Sequence, residues 1–249
     1  MKDHHNYDRV ARLRQAWTKQ IRPEDYDAHM SQVGQAQANA QLLVDWLRSN
    51  PPRPGSSILF AGAGTGQMFD FLSPEVLSPY RITFTDINLD YLKLLESRLK
   101  SKTQLRYEIV LDDIERPQLS ARYALAVAIL LLEHVDWRLA VAALCALSLE
   151  NILVVIQENP RKSTIAVGEG QPLIGTMRVF REVHPILVNK DELVQEFSHH
   201  EFRLVSSRVR RVLDEKKMVG LGFVKNWRMR GSTRERRNDL KCAETEVGT

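Results

Sequence analysis

Three glycines at alternate positions, Gly62, Gly64 and Gly66, follow directly on the apolar run Ile58-Leu59-Phe60-Ala61. A strand that runs straight into such a loop places backbone able to turn sharply and to lie close against a ligand. The spacing is G-x-G-x-G, with Gln67 where a dinucleotide fingerprint has its third glycine, and it suits a ligand without a pyrophosphate. A glycine-rich turn with no ligand is the lesser alternative for the loop alone. Asp86 ends the next apolar run, Arg81-Ile82-Thr83-Phe84-Thr85-Asp86, twenty residues past Gly66. A carboxylate at that strand tip can accept both hydroxyls of a ribose. Asp112 and Asp113 close a third run; alone they read as a solvated turn, but the three strand ends together describe an adenosine pocket.

Histidines supply the other chemistry. His134 lies just past the fourth apolar run, where an imidazole can act as a base near neutral pH, with packing or capping as the alternative. His184 is a second candidate base in an irregular segment, while His199 and His200 read as surface residues. Tyr7, Trp17 and Tyr26 could close a lid over the pocket, although for Trp17 packing on the sheet is the favoured reading. Glu158-Asn159-Pro160 invites comparison with the N-P-P-[YFW] signature of enzymes that methylate nucleic-acid amino groups, but it follows the fifth run and lacks the aromatic residue. Cys145 and Cys242 stand alone, without metal-ligand spacing and without the features of a reactive thiol, so no metal is expected.

These motifs resemble those of the class I S-adenosylmethionine-dependent methyltransferases, of the type 11 and 12 kind. Gly62-Ala63-Gly64-Thr65-Gly66 is similar to the family's first motif, Thr85-Asp86-Ile87-Asn88 to its second strand end, and Asp112-Asp113 to its adenine motif. The segment from Tyr123 to Val135, closing on Leu132-Glu133-His134-Val135, resembles its fourth strand. The resemblance spans residues 55 to 225 and implies S-adenosyl-L-methionine as cofactor. It implies that Gly62, Ala63, Gly64, Gly66, Asp86, Ile87, Asp112, Asp113, Ile114, Ile129 and Leu130 hold that cofactor, with His134 or His184 as the candidate base. The implied activity is methyl transfer to a small-molecule acceptor, an in-line displacement in which a protein mainly aligns the reactants and excludes water. Two positions depart from the family pattern: Phe60 stands where an acid usually precedes the glycines, and Ala124 where one opens the fourth strand. The alternatives are an RNA or protein methyltransferase tethered by a basic tail, a cofactor-binding protein without transferase activity, and a nucleotide-dependent oxidoreductase.

The elements that must position these residues alternate. Ser57 to Ala61, Ile82 to Thr85, Tyr107 to Leu111, Ala124 to Ile129 and Ile152 to Ile156 are continuous apolar runs, the pattern of parallel strands covered on both faces. Helices are expected over Leu89 to Leu99 with Asn88 as N-cap, over Trp137 to Leu149, and from Lys190 to Phe197 behind Asn189. Arg203 to Val212 and Met218 to Val224 read as an antiparallel hairpin. The predicted fold is therefore α/β: a doubly wound, mostly parallel seven-stranded sheet with a C-terminal antiparallel hairpin and an N-terminal helical cap. Within the cap, the apolar spacing from Met30 through Val33, Ala36, Ala40 and Leu43 to Leu47 predicts one amphipathic helix over Asp25 to Ser49. The cap covers residues 1–50, the cofactor-binding domain 51–227, and a disordered basic tail 228–249. The acceptor is expected between Glu133-His134, the irregular stretch from Arg161 to Pro185 with Gly168, Gly170, Pro172 and Gly175, and the helix bearing Tyr26 and His29.

Composition is consistent with this reading. The 249 residues are 43% hydrophobic and 27% charged, enough for a full core and incompatible with disorder or a disulfide scaffold. Of the net charge of +4, the segment from Lys225 to Thr249 holds seven basic against four acidic residues. The body is nearly neutral, so a folded nucleic-acid-binding face is not expected. No stretch approaches the roughly 18 apolar residues of a membrane span, and Met1 to Arg9 is charged and His-rich rather than signal-like, which points to the cytoplasm.

Overall fold

Short runs of Ile, Val, Leu and Ala become strands in this chain because helices cover them on both sides. The computed structural model describes residues 2–159, 173–213 and 216–226, with side chains from Asp8 onward. Five strands run parallel: β1 Ser57–Ala61, β2 Arg81–Asp86, β3 Arg106–Leu111, β4 Tyr123–Ile129 and β5 Ser148–Glu158. The hairpin of β6 Phe202–Arg211 and β7 Lys217–Lys225 adds antiparallel to β5, completing a seven-stranded sheet in the order β3-β2-β1-β4-β5-β7-β6. The chain winds outward from β1 to β3 and then returns to the other side at β4. The carboxyl end of β1 thus lies at the switch point, where open α/β sheets leave a crevice.

Alternate residues of β1 serve opposite layers. Ile58 and Phe60 join the core formed with Leu43 and Trp46 of α3 Gln35–Ser49 and with Leu92 and Leu95 of α4 Leu89–Leu99. Leu59 and Ala61 join the other, with Val141 and Leu144 of α5 Trp137–Leu147. Three helices carry side-chain N-caps: Asn88 accepts from Asp90 N and Tyr91 N, Asp136 from Arg138 N and Leu139 N, and Asn189 caps α6 Lys190–His199 through Asp191 N and Glu192 N. Each such cap contributes about 1 kcal/mol.

The N-terminal helices differ from the expected single helix over Asp25 to Ser49. After α1 Lys2–Gln15 and a π-helical turn Ala16–Gln20, α2 Pro23–Val33 ends at Gly34, whose left-handed backbone (φ 67°) reorients the chain into α3. The apolar stripe runs unbroken through Gly34, which hides the break. As a consequence α3 covers the sheet while α1, the π-turn and α2 reach over its carboxyl edge. α5 stops at Leu147 rather than Leu149 because β5 starts at Ser148, before the expected Ile152. In the irregular stretch Gly175–Arg181 forms a 3-10 helix; Gly168, Gly170, Pro172, Cys242 and the tail 228–249 lie outside the described residues. Among the described residues no helix is long and apolar enough to cross a membrane, and no group of three or more His, Cys, Asp or Glu residues could hold a metal ion.

Candidate functional site

A cavity of about 160 Å³ opens at the carboxyl edge of the sheet, beneath α1 and α2. Its floor starts at the glycine loop, where Gly62, Gly64 and Gly66 all adopt positive φ (65°, 58° and 78°). A Cβ on Gly62 would stand 2.6 Å from the Leu131 side chain, so this backbone passes where a larger residue does not fit. Asp86 closes β2 beside it and is buried. Its Oδ2 accepts from the Gly64 N–H at 2.9 Å and its Oδ1 from the Asn88 N–H at 2.9 Å. The Ile87 N–H acts on the same carboxylate, and of its roughly four lone-pair sites at least one remains for a further donor such as a ribose hydroxyl. Burial outweighs these hydrogen bonds and pushes the Asp86 carboxyl up to about 6.

Of the residues expected to hold a cofactor, Gly62, Gly64, Asp86, Ile87, Asp112, Asp113, Ile114, Ile129 and Leu130 line this cavity. Ala63 and Gly66 do not; they line a smaller recess of about 60 Å³ behind the loop, which shares Gly62, Tyr26, Ile129 and Leu130 with it. Asp112 turns its Oδ1 to the Gln118 N–H at 2.9 Å, and Asp113 accepts from the Glu115 N–H at 3.0 Å. Leu130, at the end of β4, takes a left-handed backbone (φ 52°) that is costly for a branched side chain and more often found at functional sites.

The two candidate bases separate. His134 lines the cavity with its ring edge-on to Trp17 at 4.8 Å and tilted against Phe180 at 5.9 Å, its Nδ1 buried without a partner among the described residues. Burial pushes its pKa down to about 3, which keeps the imidazole neutral and makes it a weak base. His184 is exposed and not part of the lining. The segment carrying it turns Pro185 and Ile186 inward, fixed by the Ile186 N–H to the Glu133 carbonyl at 2.6 Å, so His184 points away. Trp17 and Tyr26 both line the cavity; Trp17 also packs edge-on against Tyr26 and Tyr91, so it serves both readings. The side chain of Tyr7 lies outside the described residues.

Phe60 explains its own departure from the family pattern. Its ring is buried against Phe69 and Phe84 at 5.2 and 5.3 Å, on the face of the sheet away from α5, where a carboxylate would be stranded among aromatic rings.

Polar residues that the motifs do not mark fasten the helices over the site. Arg14 of α1 pairs with Asp113 and with Glu115, the latter at 2.8 Å. Asp27 of α2 accepts from Thr65 and, at 2.5 Å each, from Gln67 and from Arg98 of α4. Asp25 accepts from the backbone and hydroxyl of Thr176 at 2.8 and 2.6 Å, which holds its carboxyl far below the usual carboxylate range. At the far end of the cavity Glu133 is 6% exposed; its Oε1 accepts from the Gln157 N–H at 2.8 Å and its Oε2 is buried without a partner among the described residues. Burial pushes the Glu133 carboxyl up to about 7. Gln35 donates to the Gln157 side chain at 2.5 Å, and that side chain to Asn159 at 2.6 Å. Cys145 is buried in α5 with its thiol pushed up to about 12, which makes it inert.

No family model matches the sequence, and no curated protein resembles it in sequence. Solved structures do. Magnesium protoporphyrin IX methyltransferase (ChlM) of Synechocystis, with bound S-adenosylhomocysteine, superposes with a TM-score of 0.62 at 13% identity, over 90% of this chain and 97% of that one. An S-adenosylmethionine-dependent methyltransferase of Clostridium acetobutylicum gives 0.57 at 11% identity over 90% and 98%. A proposed RNA methyltransferase of Pyrococcus horikoshii gives 0.52 at 14% over 76% and 85%. The sheet order, the hairpin and the helices on both faces are common ground: the chain has the class I S-adenosylmethionine-dependent methyltransferase fold.

Proposed function

We propose that the protein binds S-adenosylmethionine at the carboxyl ends of β1 to β4 and transfers its methyl group to a small-molecule acceptor. The observation that carries this reading is the cavity itself, which gathers the glycine loop, the ribose-ready Asp86 and the Asp112-Asp113-Ile114 turn under a cover of helices. The residues fit the cofactor. Asp86 retains acceptor capacity toward the ribose, the Asp112-Asp113-Ile114 segment offers a carboxylate and backbone amides to the adenine, and the Gly62 and Gly64 backbone lines the cavity where the methionine end would lie. When bound, S-adenosylmethionine supplies an electrophilic methyl on a sulfonium.

What the chain itself contributes is alignment and dryness. Ile114, Ile129 and Leu130 present apolar surface, and α1, the π-turn and α2 shut the site from above through Arg14, Asp27 and Asp25. Trp17, His134, Met177 and Phe180 wall the space beyond the glycine loop. Such a concave, half-covered site with mainly apolar walls and a single cationic side chain suits a small acceptor better than nucleic acid, which calls for a flat basic surface. His134 works there as a neutral packing residue.

The test is to incubate the protein with methyl-labelled S-adenosylmethionine and, separately, the small-molecule, RNA and protein fractions of a cell extract. Label in the small-molecule fraction alone is expected. Label in RNA or protein would overturn the acceptor class, and no label in any fraction would leave a binding protein rather than a transferase.

A further inference from the structure

Four residues of the cavity lining carry a buried polar atom without a partner among the described residues, Trp17 Nε1, Glu133 Oε2, His134 Nδ1 and Asn159 Nδ2, and Glu133 is the carboxylate among them. Glu133 follows β4 in the 3-10 turn Leu132–His134, and the end of β5 fixes it: the Gln157 N–H takes Oε1, and Gln157 is itself held by Gln35 and Asn159. This leaves Oε2 of a lining residue buried and, among the described residues, without a donor. An unpaired buried carboxylate oxygen is expensive, and proteins keep such groups where a ligand completes them. The charges around it point to the kind of ligand. Among the described residues, the lining contains five carboxylates, Asp86, Asp112, Asp113, Glu115 and Glu133, against a single guanidinium, Arg14, already spent on Asp113 and Glu115. Asp86 and Asp112 are also held by backbone N–H groups, and among the described residues Glu133 is the lining carboxylate with a buried oxygen left without a partner.

Resting on the proposed methyl-transfer reading, we infer that the acceptor is an amine whose ammonium group is bound by the Glu133 carboxylate. A hydroxyl acceptor would give Oε2 a hydrogen bond but leave the buried charge uncompensated, whereas an ammonium supplies both donor and countercharge. The neighbouring wall of Trp17, Met177 and Phe180 favours an amine carried on an apolar or aromatic body. Sheet order places this group correctly: Asp112 and Asp86 stand at β3 and β2, the glycine loop at β1, and Glu133 beyond, at the ends of β4 and β5.

The test is calorimetry at pH 8, where Glu133 is ionised and the amine is still an ammonium, on protein saturated with S-adenosylhomocysteine, titrated with 2-phenylethylamine and with its neutral counterpart 2-phenylethanol. The amine is expected to bind roughly tenfold or more tightly than the alcohol, the range of one hydrogen bond to a charged group. Glu133→Gln keeps an acceptor for the Gln157 N–H and should erase that preference while S-adenosylhomocysteine affinity stays the same, which also shows the variant is folded. Equal binding of amine and alcohol, a preference that survives in Glu133→Gln, or no amine binding at all would overturn the inference. Failure of the wild-type protein to bind S-adenosylhomocysteine would instead overturn the methyl-transfer reading, and the two failures are read in separate titrations.

Discussion

Replacing Asp86 by Asn probes the cofactor end most sharply, because the change preserves shape and removes charge. In the wild type Oδ2 accepts from Gly64 and Oδ1 from Asn88, each at 2.9 Å, and the carboxylate retains at least one lone-pair site for a ribose hydroxyl. An amide has only one oxygen, so its NH₂ must face one of those backbone donors or one ribose hydroxyl. The lost charge-assisted bond is worth about 1.5–3 kcal/mol, or about 10- to 150-fold in Kd for S-adenosylhomocysteine by calorimetry at pH 8. Because burial lifts the carboxyl to about 6, wild-type affinity should also weaken below that pH, by up to about tenfold per unit, while the Asn variant stays flat. A Kd for Asp86→Asn within about twofold of wild type, or an identical pH profile, would refute the assignment of the ribose to this residue.

Other perturbations report on the cover and on buried charge. Arg98→Ala strands Asp27 in a partly buried position and should cost about 1–3 kcal/mol in urea unfolding; an unchanged midpoint would show the Asp27 clasp to be idle. Arg14→Ala breaks a half-exposed pair, so stability should change by less than about 1 kcal/mol while cofactor release speeds up in stopped-flow; an unchanged release rate argues against α1 as a gate. Glu133 has a folded pKa of about 7 against its ordinary 4.5, so the native state holds the extra proton and its contribution to stability is lost as pH rises through that window. Glu133→Gln should thus be more stable than wild type above pH 7, by on the order of 3 kcal/mol, and equal to it near pH 4; parallel stability curves would contradict this. His134 has the opposite sign: its pKa of about 3 lies below the ordinary 6.5, so wild-type stability falls as pH drops through that range, and His134→Phe should remove that share of the loss.

How much of this the sequence discloses depends on whether the signal is local. The strands announce themselves because a parallel sheet covered on both faces requires unbroken apolar runs, and the caps Asn88 and Asn189 because side-chain capping is a matter of adjacent residues. Gly34 escapes notice because the apolar stripe continues across it, and the early start of β5 at Ser148 because its first residues, Leu149 and Glu150, are exposed and carry no strand-like pattern. The glycine loop and Asp86 are legible for the same reason as the strands, since backbone turns and strand ends are fixed by neighbours. Arg14 and Asp113 are 99 residues apart and Gln35 and Gln157 are 122 apart, so only the finished fold reveals those pairs. Glu133 is visible as one letter of a motif, but its burial, and hence its chemistry, follows from β5 arriving beside it. His134 carries the converse lesson: the residue type suggests a base, and its surroundings remove the basicity.

A pair of calorimetric titrations of the full chain tests most directly whether the glycine loop and Asp86 hold S-adenosylmethionine rather than a dinucleotide. Saturable one-to-one binding of S-adenosylhomocysteine with no heat from NAD is predicted; binding of NAD with no response to S-adenosylhomocysteine would contradict the account.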